Sequence, residues 1–350
     1  TDKFDDLYCS YESDESIPRT TVGAQELILD LLKERSETGR IYIMNIDHCN
    51  SHSSFKDKVE MSNLCQEITL PTTPISHIDD HLGEIALCIL SAVNVGKIRS
   101  DEELEELCDL AVRGLEELID YQDYPVLAAE QATKARRSLG VGFIGLAHYL
   151  AKLGYDYGSQ EAWDAVHGLS ESFQYYLLKA SNEVAKEKGW CENFGRTKYS
   201  DGILPIDTYK KDVDEICSQP LQHDWESLRA SILEHGLRHS TLSAQMPSES
   251  SSVVCNATNG IEPPRDYLSI KKSKKGPLKQ IVPSYGSLKN NYTLLWDMPS
   301  NEGYINIVAV MQKYFDQAIS GNWSYNPEHY DNNEVPVSVM AQDLLTTYKY

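Results

Sequence analysis

The chain has 350 residues, 41% of them hydrophobic and 24% charged, a globular composition that can bury a substantial core. The formal net charge of −21 argues against non-specific binding to nucleic acid or anionic membranes, because the summed field repels phosphates. No apolar run reaches the roughly 18 residues of a membrane span, and residues 1–6 do not resemble a secretory signal. We therefore expect a cytoplasmic protein.

The eight cysteines predict neither a disulfide framework nor a structural zinc site, because the chain lacks a signal peptide and any Cys-x-x-Cys pair. His48, Cys49 and His52 lie close together in sequence, but their spacing matches no common metal site. We interpret them as part of a loop after a strand at 41–44. No metal is expected in this chain.

Hydrophobic periodicity predicts alternating helices and strands, and therefore an α/β fold. A helix at 20–36 precedes the strand at 41–44, and the apolar segment 84–90 predicts a strand buried on both faces. Ser100 and Glu103 predict a capping box for a helix whose core face is formed by Leu104, Leu107, Ala111, Leu115 and Leu118. Further helices are predicted at about 160–188, 223–236, 304–319 and 338–348, and short strands near 139–146 and 240–246. No repeat or linker divides the chain, which is interpreted as one domain or part of one.

Residues 140–145 match the pattern G-x-G-x-x-G. A dinucleotide fingerprint requires an apolar strand before the first glycine and a helix after the motif. The preceding residues 133–138 are polar and helix-like. We therefore predict that these glycines lie within a strand and permit close backbone approach.

The lysine-rich segment 271–277 is a local exception to the acidic composition. It is flanked by the apolar segments 267–270 and 280–282, a pattern typical of a solvated hairpin tip.

Asn63, Cys65 and Glu67 occupy alternate positions of the segment 62–68. In an extended segment such positions project to the same side, and the β-branched, Pro-rich residues 68–74 favour extension. An amide, a thiol and a carboxylate would then face one small volume. A lone cysteine is structural by default, but this combination indicates a reaction centre.

Two further segments complete the candidate site. Cys88 would be an ordinary core thiol alone, but it could approach the same pocket if residues 63–70 fold back beside its strand. Residues 246–264 combine an apolar strand, hydroxyl side chains and a helix start, which suits an anion site because free N–H groups and the helix dipole bind phosphate. A plain Ser-rich helix cap is the alternative.

These segments resemble the large catalytic subunit of class I ribonucleotide reductases. The resemblance rests on residues 62–68, 83–92 and 246–264, with further support from 39–43, 120–125 and 204–209, and it covers essentially the whole chain. It implies an α/β fold, a ten-stranded barrel of two five-stranded halves with a finger loop that carries the radical cysteine. Residues 1–350 would form the C-terminal half of that barrel as one incomplete domain.

The resemblance also implies a role for each residue of the candidate site. Cys65 matches the cysteine that becomes a thiyl radical and abstracts the 3′-hydrogen of the ribose, and Glu67 matches the base that takes the 3′-OH proton. A carboxylate in a dry barrel would have a raised pKa, which suits proton exchange. Asn63 matches the amide that positions the substrate. Cys88 matches one half of the dithiol that reduces C2′.

The implied activity is the reduction of ribonucleoside diphosphates to 2′-deoxyribonucleoside diphosphates, with substrate phosphates held by Glu249, Ser250 and Ser251. No cofactor is expected in this chain. The radical would come from a metal-containing small subunit, and external thioredoxin or glutaredoxin would restore the dithiol.

Several family features have no counterpart in these 350 residues. They are the N-terminal ATP cone, the dimer-forming specificity site, the first half of the barrel, the partner of Cys88, the paired radical-relay tyrosines and the cysteine-bearing tail. Tyr175 and Tyr176 are not that pair, because they lie in the middle of a predicted helix. We therefore expect that activity needs a complementary N-terminal half, encoded by a split gene or absent from a partial coding sequence.

Two alternatives remain open. The chain could be an inactive truncated relic or interaction module with exposed strand edges and an apolar lumen. A simple thiol enzyme with Cys65 as nucleophile is a weaker alternative, because the nearest histidines, His48, His52 and His77, lie in loop-like sequence.

Overall fold

The computed structural model describes residues 2–273 and 276–350, and it contains the predicted mixture of helices and strands. The helices are α1 Asp2–Ser13, α2 Ala24–Thr38, α3 Ile46–His52, α4 Asp101–Tyr121, α5 Leu127–Arg136, α6 Leu146–Leu153, α7 Gln160–Lys188, α8 Pro205–Thr208, α9 Trp225–His235, α10 Glu249–Cys255, α11 Tyr285–Leu288, α12 Glu302–Gln312 and α13 Val337–Lys349. The strands are β1 Ile89–Asn94, β2 Leu139–Ile144, β3 Leu268–Ser273 and β4 Gly276–Ile281. Short 3₁₀ helices connect several of these elements. None of the helices in the described residues combines the length and apolar character needed to cross a bilayer.

The two longest helices, α4 and α7, pack against each other and carry much of the core. Both begin with a serine cap, because the Ser100 and Ser159 hydroxyls accept hydrogen bonds from N–H groups of the first helical turn. The second half of the predicted capping box is displaced by one residue, since the Glu103 carboxylate accepts from Arg99 N. The predicted core face of α4 is wrong at its end, where Leu118 is 47% exposed and Ile119 is buried instead.

Four extended segments lie side by side in parallel. β1 and β2 pair in regular register from Ile89↔Leu139 to Asn94↔Ile144. Residues 241–245 follow β2 through the Val141–Ser243 bridge, and 317–320 follow them through the Gln245–Ile319 bridge. Within the described residues this array is open and does not close into a barrel.

Three phenylalanines join this array to the helices behind it. Phe143 of β2 packs against Phe173 of α7 with ring centroids 4.6 Å apart. Phe315, which follows α12, lies 5.5 Å from Phe143 and 5.8 Å from Phe173 by the same measure. All three side chains are fully buried. The aromatic cluster therefore fixes the distance between the extended segments and α7.

Three predicted elements need correction. Residues 41–44 form no strand but an irregular segment before α3. The strand predicted at 84–90 begins only at Ile89, and Leu87 and Leu90 are exposed rather than buried. β1 is an edge strand with β2 on one side and α4 against it, so burial on both faces is not achieved. The helix predicted at 304–319 ends at Gln312, because the chain then enters the parallel array.

The glycine prediction for residues 140–145 is confirmed for Gly140 and Gly142, which lie inside the fully buried β2. It is wrong for Gly145, which follows the strand with a φ of 82° and precedes α6. A Cβ on Gly142 would lie 2.6 Å from the Ala244 carbonyl oxygen, so glycine is required for the close approach of residues 241–245. The predicted hairpin is present as antiparallel β3 and β4. The predicted tip, residues 271–277, is shorter than expected, because 271–273 belong to β3 and 276–277 to β4. Lys274 and Lys275 lie outside the described residues.

A buried ionic cluster holds α4 against the residues that lead into β2 and into residues 241–245. The Glu116 carboxylate accepts hydrogen bonds from Arg137 Nε (2.7 Å), Arg238 Nε (2.7 Å) and His239 Nε2 (3.0 Å). Burial alone would raise the pKa of Glu116, but the hydrogen bonds from these three groups outweigh it and hold the pKa well below its usual range. Glu116 therefore stabilises the fold as a carboxylate.

Replacing Glu116 with Gln should lower the free energy of unfolding by ~3 kcal/mol at pH 7, because the buried Arg137 and the partly buried Arg238 lose the carboxylate that they share. The depressed pKa stabilises the wild type fully above a pH of about 4.3, and this contribution disappears as the pH falls below that value. Urea unfolding at pH 7 and pH 3.5 measures both effects, and the difference between the proteins should shrink at the lower pH.

Glu117→Gln is the matched control, because Glu117 lies on the same helix in an exposed pair with Lys188. This control should change the stability by less than about 1 kcal/mol. Equal losses in the two variants would contradict the structural role of the Glu116 cluster.

Candidate active site

Residues 62–68 form a closed loop. Gln66 N donates to Asn63 O (3.2 Å), and Gln66 takes a left-handed conformation with φ of 65°. The Asn63 Oδ1 accepts from Ile68 N (3.2 Å), and Ser62 Oγ donates to Ile68 O (2.8 Å). The prediction of a continuously extended segment is therefore wrong at residues 63–66, because side-chain hydrogen bonds to the backbone stabilise a turn.

The turn still separates the side chains into inner and outer groups. Glu67 is 3% exposed and Cys65 is half-buried, whereas Leu64 is 81% exposed. Asn63 is exposed, and its carboxamide oxygen closes the loop. The thiol and the carboxylate therefore lie on the inner side of the loop, and the amide of Asn63 lies on its exposed side.

The loop lies beside Cys88, which is the condition under which the two thiols could approach one pocket. Cys88 itself is not among the residues that line the cavity next to Cys65. Ile68 and Cys88 pack against the same small apolar cluster, which consists of Phe55, Val59 and Leu70. Ala318 N donates to Glu67 O (3.1 Å), so the loop is also joined to the last segment of the parallel array. The candidate thiols therefore share one neighbourhood although 23 positions separate them in the sequence.

Both thiols are kept protonated by their surroundings. Burial and the Glu67 carboxylate raise the pKa of Cys65. Burial raises the pKa of Cys88 to about 12, with smaller contributions from the Asp316 and Glu67 carboxylates and an opposing hydrogen bond from Gln317. Glu67 Oε2 is buried and has no hydrogen-bond partner among the described residues. A buried carboxylate oxygen with no partner is a costly arrangement that is typical of functional sites.

A cavity of about 1040 Å³ adjoins the loop, and Cys65, Gln66 and Thr69 are among its lining residues. Such a volume is large enough for a nucleotide. His48, Cys49 and His52 line the same cavity, but they lie in α3 and not in the predicted loop. His52 Nδ1 lies 3.0 Å from Thr208 Oγ1, which gives this ring nitrogen a structural contact.

Glu249, Ser250 and Ser251 form the exposed first turn of α10. The preceding Ser248 does not cap this helix, since its hydroxyl donates to Met246 O (3.1 Å). Pro247 lines the same cavity as Cys65. The start of α10 therefore lies next to the cavity that Cys65 lines.

Sequence reasoning did not find Gln317, which contacts Cys88 and lines the cavity. The one available signal was the polar pair Asp316 and Gln317 after the apolar stretch 304–315. This signal was missed because residues 304–319 were predicted as one helix.

The comparisons with known proteins identify the family of the chain. The family model "Ribonucleotide reductase, barrel domain" matches residues 1–350. The chain therefore belongs to the ribonucleotide reductase barrel-domain family. Ribonucleoside-diphosphate reductase subunit alpha of Haemophilus influenzae is 58% identical over 352 aligned positions, which cover 100% of this chain and 47% of that protein. The family description implies an α/β barrel, of which the described residues form an open part.

Two further relatives show the same coverage. Ribonucleoside-diphosphate reductase 1 subunit alpha of Escherichia coli is 55% identical, and subunit alpha of enterobacteria phage T4 is 41% identical. Each alignment covers 100% of this chain and 46% of the relative. The chain thus spans about half the length of the curated relatives that it matches.

Gly140→Ala should disturb the packing of Cys88. A Cβ at residue 140 would lie 2.7 Å from Cys88 Sγ and 2.6 Å from Leu90 Cδ2, which is closer than van der Waals contact allows. We expect the free energy of unfolding to fall by about 1–3 kcal/mol through overpacking, as measured by urea denaturation.

Gly114→Ala is its control, since a Cβ at this exposed position of α4 would have no neighbour within 4 Å. Helix propensity predicts that this control is as stable as the wild type or more stable by up to about 1 kcal/mol. A Gly140→Ala protein as stable as wild type would show that the thiol neighbourhood is loosely packed.

Proposed function

We propose that residues 1–350 are the C-terminal barrel portion of a ribonucleoside-diphosphate reductase large subunit and carry its reaction centre. The observation that carries the proposal is the buried Glu67 carboxylate, which acts electrostatically on both Cys65 and Cys88 beside a nucleotide-sized cavity. Because the relatives are about twice as long, the activity is proposed for a complex with a complementary N-terminal half and a radical-generating small subunit.

The proposed reaction divides the work between the radical thiol of Cys65 and a reducing pair of thiols that includes Cys88. When the small subunit has supplied the radical, the Cys65 sulfur takes the hydrogen atom from C3′ of the ribose, and Glu67 accepts the 3′-OH proton. The 2′-hydroxyl takes up a proton and leaves as water. Cys88 and a second cysteine outside this chain supply the two electrons and two protons that this reduction consumes, and their sulfurs form a disulfide. Cys65 then returns its hydrogen atom to C3′, and Glu67 returns its proton to the 3′-oxygen. Thioredoxin or glutaredoxin reduces the disulfide again.

The electrostatics of the site support a hydrogen-atom donor rather than a nucleophile. A nucleophilic cysteine needs a lowered pKa and a neighbouring base that yields the thiolate. Cys65 has a raised pKa and a carboxylate neighbour, so its S–H bond is retained at neutral pH. Glu67 Oε2, which has no hydrogen-bond partner in the part of the chain that the structure describes, is suited to receive a substrate proton.

We assign substrate positioning to Asn63 and to the start of α10. The Asn63 Oδ1 is used by Ile68 N, so we assign the Nδ2 amide group to the substrate hydroxyls. Glu249, Ser250 and Ser251 are assigned to the phosphates through backbone N–H groups and hydroxyls at the start of α10. Local dipoles of this kind are needed, because the chain as a whole is strongly acidic.

Replacing Cys65 with Ala should abolish the formation of dCDP from CDP. The assay combines the 350-residue chain with the N-terminal half and the small subunit, and it measures product by chromatography. Cys9→Ala is the control, because Cys9 is an exposed cysteine of α1 and is not among the residues that line the cavity, and it should keep wild-type turnover.

Persistent dCDP formation by the Cys65→Ala complex would refute the radical assignment. Absence of product in the wild-type complex would instead favour the inactive-relic alternative. Co-purification of the 350-residue chain with the N-terminal half establishes first that the complex has formed.

Glu67→Gln should lower kcat by about 10²–10⁴-fold, since general-base catalysis contributes this much to proton transfer. Its stability should change little, because the Oε2 that is replaced has no partner among the described residues. Glu60→Gln, at an exposed position paired with Lys58, is the matched control and should retain full turnover. A Glu67→Gln complex with kcat within about threefold of wild type would remove Glu67 from the role of base.

A further inference from the structure

Gln317 connects all the segments that hold the two candidate thiols. Its side chain is 3% exposed, so its polar groups must find partners within the protein. Oε1 accepts from Thr69 N (3.3 Å), which follows the Cys65 loop. Nε2 donates to Leu139 O of β2 (2.9 Å) and to Cys88 Sγ (3.5 Å). One carboxamide thus contacts the loop, the neighbouring strand and the thiol.

The backbone of Gln317 is itself firmly placed. Its N–H donates to Ser243 O (3.1 Å), and its carbonyl accepts from Gln312 Nε2 (2.8 Å). The preceding Asp316 is anchored by hydrogen bonds to residues 241–243, and the following Ala318 N–H donates to Glu67 O. A side chain on such a fixed backbone has little freedom, so its Nε2–H group is directed at the Cys88 sulfur.

The contact with Cys88 is chemically significant because of what else surrounds that thiol. The carboxylates of Glu67 and Asp316 and the apolar cluster of Phe55, Val59 and Leu70 all disfavour a negative charge on the sulfur. Gln317 is the one described group whose hydrogen bond favours it. An N–H donor to sulfur stabilises the thiolate form that thiol–disulfide exchange requires.

From this geometry we infer that Gln317 is a positioning residue for Cys88, which orients its sulfur and stabilises the thiolate during reductive turnover. The inference rests on the proposed function for the redox role of Cys88, whereas the effect on the thiol itself is independent of that function. Gln317 is among the residues that line the cavity, whereas Cys88 is not. The Gln317 carboxamide therefore connects the cavity wall to the Cys88 thiol.

The test measures the alkylation rate of Cys88 in the 350-residue chain with iodoacetamide at pH 8.5, resolved by peptide mass spectrometry. At this pH the rate is proportional to the thiolate fraction. Gln317→Met keeps a similar volume but removes the donor, so the rate should fall three- to tenfold, where tenfold corresponds to about one pKa unit. The exposed Cys9 in the same sample normalises the reagent.

Gln245→Met is the matched control. Gln245 is an equally buried amide that bridges β2 and residues 241–245, with Nε2 donating to Phe143 O (3.0 Å) and Oε1 accepting from Phe143 N (2.8 Å). It should leave the Cys88 alkylation rate within twofold of wild type. An unchanged or faster rate in Gln317→Met, or an equal fall in both variants, would overturn the inference.

Gln317→Glu provides a second variant if Gln317→Met does not fold, as judged by circular dichroism. It keeps an acceptor for Thr69 N–H and lacks the amide donor, so it should also slow Cys88 alkylation, and a rate at or above wild type counts against the inference. In the reconstituted complex the folded variant should lower kcat for CDP and leave KM unchanged. If alkylation of Cys88 is slow in the Gln317 variant but the wild-type complex is inactive, the Gln317 assignment holds and the proposed function fails.

Discussion

The buried carboxylate of Asp316 is the interaction on which the arrangement of the site depends. It accepts hydrogen bonds from Tyr199 Oη (2.6 Å), Thr241 Oγ1 (2.7 Å) and Ser243 N (2.8 Å), among others. Burial raises its pKa, and the donors oppose that effect. A buried carboxyl group is tolerable only when its oxygens are satisfied in this way. Because two of these donors, Thr241 and Ser243, belong to residues 241–243, the carboxylate fixes where the chain after α12 joins the parallel array.

Several contacts around the two thiols depend on the point where the chain after α12 joins the parallel array. Gln317 and Ala318 come directly after Asp316, and they contact Cys88 and the backbone of Glu67. The two thiols consequently receive different surroundings, since Cys65 lines the cavity while Cys88 packs against an apolar cluster. Under the proposed function this difference matters, because Cys65 would act only on the substrate, whereas Cys88 would act on the substrate and also exchange with an external reductant. Glu67 Oε2 has no hydrogen-bond partner among the described residues, which lowers the stability locally. The many hydrogen bonds of Asp316 offset this loss.

The parts of the fold that were predictable from sequence are those determined locally. α7 begins and ends at the predicted residues 160 and 188, because a serine cap and helical periodicity define it within its own sequence. The turn at 63–66 was not predictable, since Gln66 adopts a left-handed conformation that depends on the Asn63 side chain closing the loop. Gln317 was missed because its partners lie 178 to 248 positions away in the sequence. The roles of the site residues came from the family resemblance and remain predictions.

The cavity beside Cys65 is built from different elements than the contacts around Cys88. Part of its wall comes from α2 and α13, where Leu32, Arg35, Met340 and Leu344 are among the lining residues. His48 of α3 stacks on Tyr348 of α13 with ring centroids 4.5 Å apart, so segments about 300 positions apart meet at this wall. Contacts of such long sequence separation carry a cost of loop closure, and so do the contacts of Gln317 with Thr69 and Cys88. The two parts of the site differ instead in their framework, because the contacts around Cys88 are built on the parallel array, whereas the outer cavity wall is built on helices α2, α3 and α13.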